Sequence, residues 1–256
     1  MIVEELKIVD AVLELIDARV PLSSRNPDLQ SLTTKPRILV LTKKDLADES
    51  LTQEWIEYWK SQGELAVAVD LLQGKEVGTI NRVIRSQLPE MRRDPRLLVA
   101  GIPNVGKSTL INRLTKRRGA KVGARPGVTR GKQWLTAPGM QLLDSPGILW
   151  PKFEDQDAAR KLAIIASIRD EVVDQADIAI WLLNFLKREY PEKLNERYGS
   201  LSEDYPLEDI GRKRGCLLKG GLVDYDQAAV TVLKDFRTGK LGRITLDGSP
   251  PQSGVK

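Results

Sequence analysis

The sequence predicts an α/β fold, a mostly parallel sheet with helices on both faces, followed by a smaller all-helical domain. Two observations predict it. Apolar strand-like runs alternate with helical stretches through residues 11–143, the pattern of a parallel sheet covered on both faces. After about Phe153 amphipathic helical segments continue without strand alternation. We therefore expect domains at 1–155 and 156–247, and a disordered tail at 248–256.

The first domain is expected to alternate strand and helix in chain order. Strands are expected at 11–18, 37–42, 65–69, from Leu97, and at 140–143, with helices at 51–62, 75–88 and 107–115. The strand from Leu97 leads through a glycine-bounded loop into the last of these helices, and that junction carries the first chemical motif.

Composition narrows the classes of function. The chain has 256 residues, is 41% hydrophobic and 29% charged, and its apolar runs are too short to span a bilayer, so no membrane helix is expected. It has one cysteine, Cys216, and no basic signal-peptide start, which indicates a reducing cytoplasm. It has no histidine, which excludes histidine-based catalysis and histidine metal ligands.

The segment "GIPNVGKS" fits the phosphate-binding pattern G-x-x-x-x-G-K-S between a strand and a helix. Its glycines let successive backbone N–H groups point at a phosphate, its lysine reaches the β and γ phosphates, and its serine hydroxyl binds Mg²⁺. A chance glycine turn is the alternative, and the flanking strand and helix argue against it. The residues expected at the phosphates are Pro103, Asn104, Val105, Gly106, Lys107, Ser108 and Thr109.

Two further motifs follow the phosphate loop. "LLDSPG" places Asp144 at a strand end, where it can hold Mg²⁺ through water, and the Gly147 N–H can sense a γ phosphate. Thr129 in "RPGVTRG" is suited to close on Mg²⁺ when the third phosphate is present. D-S-P-G alone is more often a simple turn, but in this order the segments indicate the switches of a GTPase, with Lys107, Thr129 and Gly147 as catalytic candidates.

The tetrapeptide "TKKD", from Thr42 to Asp45, ends the second strand and resembles the N/T-K-x-D guanine-recognition motif. The Asp45 carboxylate can accept hydrogen bonds from guanine N1–H and N2–H₂, and the Lys43 stem can cover the base. By itself the tetrapeptide is a common surface sequence. Here it precedes the phosphate loop, whereas in linear GTPases it follows the switches, so we predict a circularly permuted P-loop GTPase domain.

The motif set closely resembles that of the circularly permuted ribosome-biogenesis GTPases of the YlqF/RbgA family. It comprises "DARVPLSSRNP", "TKKD", "GIPNVGKSTLIN", "RPGVT" and "LLDSPGILWPKF". The resemblance covers nearly the whole chain and implies a monomeric GTPase that binds GTP and GDP, acts on the large ribosomal subunit precursor and contacts rRNA. The alternative is a GTP-gated RNA-binding module with negligible hydrolysis; a P-loop kinase or ATPase is disfavoured by "TKKD".

Catalysis must work without the glutamine that many GTPases place after D-x-x-G, because Ile148 stands there. The resemblance implies that Asn104 ligates K⁺ in place of an arginine finger, and a loop-stabilising side chain is the equally weighted alternative. Hydrolysis by the isolated protein is therefore expected to be slow and stimulated by the ribosomal subunit.

Basic residues concentrate in two places. Arg113 to Lys132 holds eight Lys or Arg and no acidic residue, which favours a phosphate-backbone partner over a solvated loop. The second patch is "GRKRG", from Gly211 to Gly215. Without the family resemblance it would be interpreted as ordinary helix surface, and the resemblance favours a contact with rRNA. The residues predicted to bind RNA are Arg117, Arg118, Lys121, Arg212, Lys213 and Arg214.

Overall fold

A computed structural model of the chain describes residues 2–74, 76–88, 91–115, 133–144 and 155–251. Within these ranges, six strands form one sheet in the order β3-β2-β1-β4-β6-β5, and every neighbouring pair is parallel except β5 and β6. The strands are β1 Ala11–Asp17, β2 Arg37–Thr42, β3 Leu65–Ala68, β4 Arg96–Gly101, β5 Gln133–Ala137 and β6 Met140–Asp144. The mostly parallel α/β sheet predicted from the sequence is confirmed.

The sheet order explains how a permuted chain builds one domain. Counted from β4, the strand before the phosphate loop, the order becomes 6-5-4-1-3-2, so the three N-terminal strands extend the sheet that β4 starts. The chain leaves β4 towards β6 and leaves β1 towards β2, in opposite directions. In open α/β sheets the ligand crevice forms at such a reversal, at the carboxyl ends of the strands.

Helices cover the sheet and then form the C-terminal half. They are α1 Ile2–Lys7, α2 Pro27–Leu32, α3 Glu49–Ser61, α4 Val77–Gln87, α5 Lys107–Thr115, α6 Gln156–Ile164, α7 Gln175–Glu189, α8 Pro191–Tyr198, α9 Pro206–Arg214 and α10 Tyr225–Arg237, with a 3-10 turn at Asp170–Val172. Aspartates 155, 174 and 224 cap α6, α7 and α10 by accepting backbone N–H groups of the first turn. These caps fix where α6, α7 and α10 begin.

One apolar core joins the sheet to the helical half. Buried residues of β4 and α5 belong to the same contiguous cluster as Leu162 of α6, Leu182 of α7 and Val232 of α10. A smaller cluster on the other side of the sheet is centred on Trp55 and Trp59 of α3. The helical half therefore shares one continuous apolar core with the sheet and α5.

Two features differ from the sequence-based expectations. Strand β5 was not predicted, because its side chains are mostly exposed and its apolar pattern is weak. Gly248, assigned to the disordered tail, accepts a hydrogen bond from Trp55 Nε1 at 2.8 Å, while 252–256 lie outside the described residues. No helix among the described residues is long and apolar enough to cross a membrane.

Candidate functional site

The phosphate loop leaves β4 at the reversal point and turns sharply beside β1. Gly101 has φ +151°, and a Cβ there would lie 2.6 Å from the Leu15 carbonyl oxygen. Gly106 has φ +106°, and its Cβ would lie 3.3 Å from Leu71 Cδ1. Both positions need glycine because of backbone conformation and close approach. The loop therefore sits between β1 and the segment after β3.

Lys107 begins α5 and turns its side chain back into the loop. Its Nζ donates to the carbonyl oxygens of Gly101 at 2.9 Å and Ile102 at 2.7 Å, and the side chain is buried. Burial lowers the pKa of Lys107 to about 8, against the opposing effect of the Asp144 charge. A buried ammonium held mainly by backbone carbonyls is suited to receive an anion.

Asp144 ends β6 and is 1% exposed. The parallel pairing of β4 with β6 places it opposite Val99, two residues before the phosphate loop starts. Ser108 follows Lys107 in the first turn of α5. The sheet therefore brings the carboxylate and the hydroxyl predicted to hold Mg²⁺ to the same edge.

The helical half braces the phosphate loop from one side. Asn104 has φ +59°, and its side-chain amide donates to the Ala166 carbonyl at 2.6 Å. Ser167 Oγ donates to the Pro103 carbonyl at 2.9 Å. Asn104 thus makes the loop-stabilising contact that was one of its two predicted roles.

The base-recognition motif braces the loop from the other side. The Thr42 hydroxyl lies 2.6 Å from the carbonyl oxygen of Val105 and 3.1 Å from that of Ile16. Thr42 is fully buried, and its single proton can serve one carbonyl at a time. "TKKD" and the phosphate loop, 63 residues apart in the chain, are therefore in direct contact.

A buried ion cluster lies behind the base motif. Asp17, at the end of β1, accepts from Arg19 Nε at 2.9 Å, Arg19 Nη2 at 2.8 Å and Lys43 Nζ at 2.8 Å. Burial alone would raise the pKa of Asp17, but the two cations hold it well below its ordinary value. Sequence reasoning gave this cluster no role, although an aspartate at the end of a mostly apolar strand was a usable signal.

Asp45 and the segment after β3 face each other at this end of the crevice. Burial raises the pKa of Asp45, and the charge of Asp70 adds to that effect. Asp70 is buried, and its Oδ1 accepts the backbone N–H groups of Leu72 at 2.9 Å and Gln73 at 3.0 Å. The segment 70–74 therefore forms a tight turn beside the base motif.

The chain after α10 returns to the same loops. The Leu246 N–H donates to the Arg19 carbonyl at 2.7 Å, and the Ile244 N–H donates to the Leu46 carbonyl at 3.0 Å. The Arg19 guanidinium also lies 5.2 Å from the ring centroid of Phe236 in α10. The helical half thus contacts the loops after β1 and β2 as well as the phosphate loop.

The remaining predicted residues fall into two groups. Thr129, Gly147, Arg117, Arg118 and Lys121 lie outside the described residues. The three cations of "GRKRG" are exposed and each makes an intramolecular contact. Those contacts are Arg212 with Glu208, Lys213 with the carbonyls of Tyr198 and Ser200, and Arg214 with the Arg197 carbonyl.

Comparisons with known proteins agree with this geometry. Residues 96–212 match the family described as 50S ribosome-binding GTPase. Ribosome biogenesis GTPase A of Bacillus cereus is 45% identical, over 96% of this chain and 88% of that protein. The structures of GDP-bound TM YlqF and GNP-bound YlqF from T. maritima superpose with TM-scores of 0.76 and 0.70 at 30% and 31% identity. They cover 96% of this chain and 97% and 95% of theirs.

Identity at this level over nearly the full length of both chains is sufficient to assign the family. The matches extend through the N-terminal strands, the phosphate loop and the helical half, as the motif order requires. The chain therefore belongs to the ribosome biogenesis GTPase A (YlqF/RbgA) family of GTPases.

Proposed function

We propose that this GTPase binds guanine nucleotide in the crevice between β1 and β4 and acts in assembly of the large ribosomal subunit. The observation that carries the site assignment is the 2.6 Å contact between the Thr42 hydroxyl and the Val105 carbonyl. It joins a guanine-recognition motif to a phosphate loop that the chain order keeps apart. This contact supports a single nucleotide site whose two ends lie side by side.

At the phosphate end, the backbone N–H groups of residues 103–109 and the Lys107 ammonium would hold the β and γ phosphates. Lys107 would exchange its two carbonyl acceptors for phosphate oxygens. That exchange needs no large movement of the side chain, because the carbonyls it now contacts belong to the start of the same loop. The same ammonium would stabilise the charge that develops on the transferring phosphoryl group.

The donor set at this end fits Mg²⁺, since the Asp144 carboxylate and the Ser108 hydroxyl are the hard oxygen ligands that Mg²⁺ prefers. When bound, Mg²⁺ would neutralise phosphate charge during hydrolysis. Thr129 and the Gly147 N–H are proposed to complete the γ-phosphate site. Both remain proposals from the motif order.

At the base end, the Asp45 carboxylate would accept from guanine N1–H and N2–H₂ while the Lys43 stem covers the ring. Lys43 is held by Asp17 at 2.8 Å, which supports a fixed orientation of its stem. Because Asp45 must be ionised to accept two hydrogen bonds, its raised pKa sets a lower pH limit for guanine recognition.

K⁺ is proposed as the charge that replaces an arginine finger, with Asn104 as a ligand. The test is GTP turnover in K⁺ and in Na⁺ for the wild type and for Asn104→Ala. Faster turnover in K⁺ that disappears in the variant supports the proposal. Equal turnover in both salts would contradict the K⁺ role and leave Asn104 as a residue that stabilises the loop, as in its contact with Ala166.

The family matches support the ribosomal partner, and we propose that the protein works as a cytoplasmic monomer. The rRNA contact is assigned to Arg117, Arg118 and Lys121 together with Arg212, Lys213 and Arg214. Lys219, exposed beside the second group, extends that surface.

The deciding experiment is GTP turnover with and without purified large subunits, combined with co-sedimentation in GDP and in a non-hydrolysable GTP analogue. We expect slow hydrolysis alone, strong stimulation by subunits, and binding that depends on the nucleotide. Subunit binding that is equal in both nucleotides, with no stimulation, would contradict an assembly role.

A further inference from the structure

Arg113, the first residue of the basic run, turns away from the surface that the run was predicted to form. It lies in the last turn of α5, the helix that begins with Lys107. Its Nε donates to the Leu71 carbonyl at 2.9 Å, and its Nη2 donates to the Leu72 carbonyl. One guanidinium therefore clamps two successive carbonyls of the turn after β3.

The turn is shaped to receive this guanidinium. Gly74 has φ +73°, and a Cβ there would lie 3.1 Å from Arg113 Nη1. Leu71 is 5% exposed and anchors the turn in the core, next to Gly106 of the phosphate loop. Leu72, in contrast, is 74% exposed, so apolar burial does not hold this residue in place.

The same turn is tied to the base motif. The Asp70 N–H donates to Glu76 Oε2 at 3.2 Å, and Glu76 Oε1 accepts from Lys44 Nζ at 2.5 Å. Lys44 precedes Asp45, the residue assigned to guanine. Residues 70–74 thus form one wall of the base end, and Arg113 connects that wall to the phosphate-binding helix.

We propose that Arg113 is a positioning residue for base recognition, which holds the turn 70–74 against the guanine ring without touching the nucleotide. The proposal rests on the proposed guanine site. Arginine suits the role because its planar guanidinium holds its donors at a fixed spacing that fits two successive carbonyls, whereas a lysine ammonium is a compact charge on a flexible stem.

The test compares ligands that share phosphates and differ in the base. Affinities for GDP and for inorganic tripolyphosphate are measured by displacement of a fluorescent GDP from the full chain, for the wild type, Arg113→Lys and Arg113→Met. We expect GDP affinity to fall about tenfold in Arg113→Met and less in Arg113→Lys. Tripolyphosphate affinity should stay within about twofold, because the phosphate loop keeps its own braces.

Controls separate this role from a general loss of structure. Arg82→Met, which removes an exposed arginine on α4, should leave both affinities unchanged. Gly74→Ala disturbs the same contact from the turn side and should reproduce the base-dependent loss. Equal losses for GDP and tripolyphosphate would overturn the proposal, as would unchanged GDP affinity in Arg113→Met.

A separate variant distinguishes failure of this inference from failure of the site itself. Asp45→Asn should favour xanthosine diphosphate over GDP, because the amide donates where the carboxylate only accepts. If Asp45→Asn switches preference and Arg113→Met has no effect, the role of Arg113 is wrong and the guanine site stands. If Asp45→Asn keeps its preference for GDP, the guanine site is wrong and the inference about Arg113 falls with it.

Discussion

The two ends of the proposed nucleotide crevice balance their charges in different ways. At the base end, Asp17 is paired with Arg19 and Lys43 at 2.8 Å each, so the buried carboxylate has its counter-charges within the protein. At the phosphate end, Lys107 is buried against backbone carbonyls and its pKa is lowered to about 8. Among the described residues no carboxylate lies within hydrogen-bond distance of Lys107 Nζ, and a bound phosphate would supply a negative charge there.

Because of this difference, we expect mutations at the two ends to change different properties, stability at one end and nucleotide binding at the other. A buried charge whose partners lie within the protein stabilises the fold only as long as every partner is present. A buried charge that depends on a ligand costs the free protein stability and favours the bound state. Mutations at the base end should therefore lower the free energy of unfolding, whereas those at the phosphate end should lower nucleotide binding and turnover.

Lys107→Met gives the largest expected effect. GTP turnover should fall about 10³-fold or more, since the variant loses the cation on the transferring phosphate. The free energy of unfolding without nucleotide should stay the same or rise, because a desolvated charge is replaced by an apolar chain of similar length. Turnover assays and urea unfolding check the two parts. A large loss of stability would mean that Lys107 is a structural ion like those of the base end.

Asp17→Asn tests the opposite end. It leaves Arg19 and Lys43 without their buried counter-charge, and we expect a loss of about 3–5 kcal/mol in the free energy of unfolding. Glu4→Gln is the matched control, because it breaks the exposed pair with Lys7 and should cost at most about 1 kcal/mol. Similar small losses in both variants, measured by urea unfolding, would show that the cluster does not support the fold.

Thr42→Val sharpens the boundary between the two ends. It removes the hydroxyl that contacts the Ile16 and Val105 carbonyls, and losing this buried hydrogen bond should cost about 1–3 kcal/mol of stability. GDP affinity should fall as well, since the same hydroxyl joins the two motifs. Thr42→Ser keeps the hydroxyl and should retain most of the affinity. Equal behaviour of the two variants in displacement assays would argue against the contact.

The smallest expected effect is the uptake of protons when GDP binds. With its pKa lowered to about 8, Lys107 loses its charge in the free protein as the pH rises above that value, and a bound phosphate should restore the charge. GDP binding should then take up a fraction of a proton per site at pH 8.5 and almost none at pH 6.5. Calorimetry in buffers of different ionisation enthalpy measures this uptake. No uptake at pH 8.5 would show that Lys107 is already charged in the free protein.

The sign of the linkage follows from the direction of the Lys107 shift. Its folded-state pKa lies below the unfolded value near 10.5, so folding of the free protein is disfavoured by this group at neutral pH. The penalty fades as pH rises from about 8 towards 10.5. The free energy of unfolding, measured without nucleotide, should therefore gain from this group as the pH rises from about 8 to 10.5 in the wild type. The same gain should be absent in Lys107→Met.

Sequence patterns were sufficient for the parts of the fold that use apolar runs and glycine loops. Strands β1, β2, β4 and β6 are buried runs, and "GIPNVGKS" dictates its own local geometry. The alternation of strand and helix also predicted the parallel sheet. At the candidate site, the backbone of the phosphate loop was predictable because one short motif determines it.

Contacts between distant segments were beyond the reach of those patterns. Arg113 belongs to a run of cations, and nothing in the run shows that its guanidinium binds the carbonyls of 71–72. Arg237 also looks like a surface cation in the sequence, but it donates to the carbonyls of Ala163 and Ile164 and pairs with Asp170. Every residue has a backbone carbonyl, so the sequence does not show which carbonyls an arginine binds. An arginine that binds them therefore looks like a surface cation in the sequence.

The place of β1 in the sheet has a consequence for synthesis of the chain. β1 lies between β2 and β4, and β4 begins only at Arg96. A nascent chain that has released β1, β2 and β3 therefore holds three of the six strands. One edge of β1, a strand whose residues are all buried in the folded protein, is then unpaired. Unpaired parallel edges are sites of misassociation until their partner arrives. In the permuted chain, the strands of the proposed base-binding half are therefore made before β4, the strand that leads into the phosphate loop. In a linear order β4 would be made first.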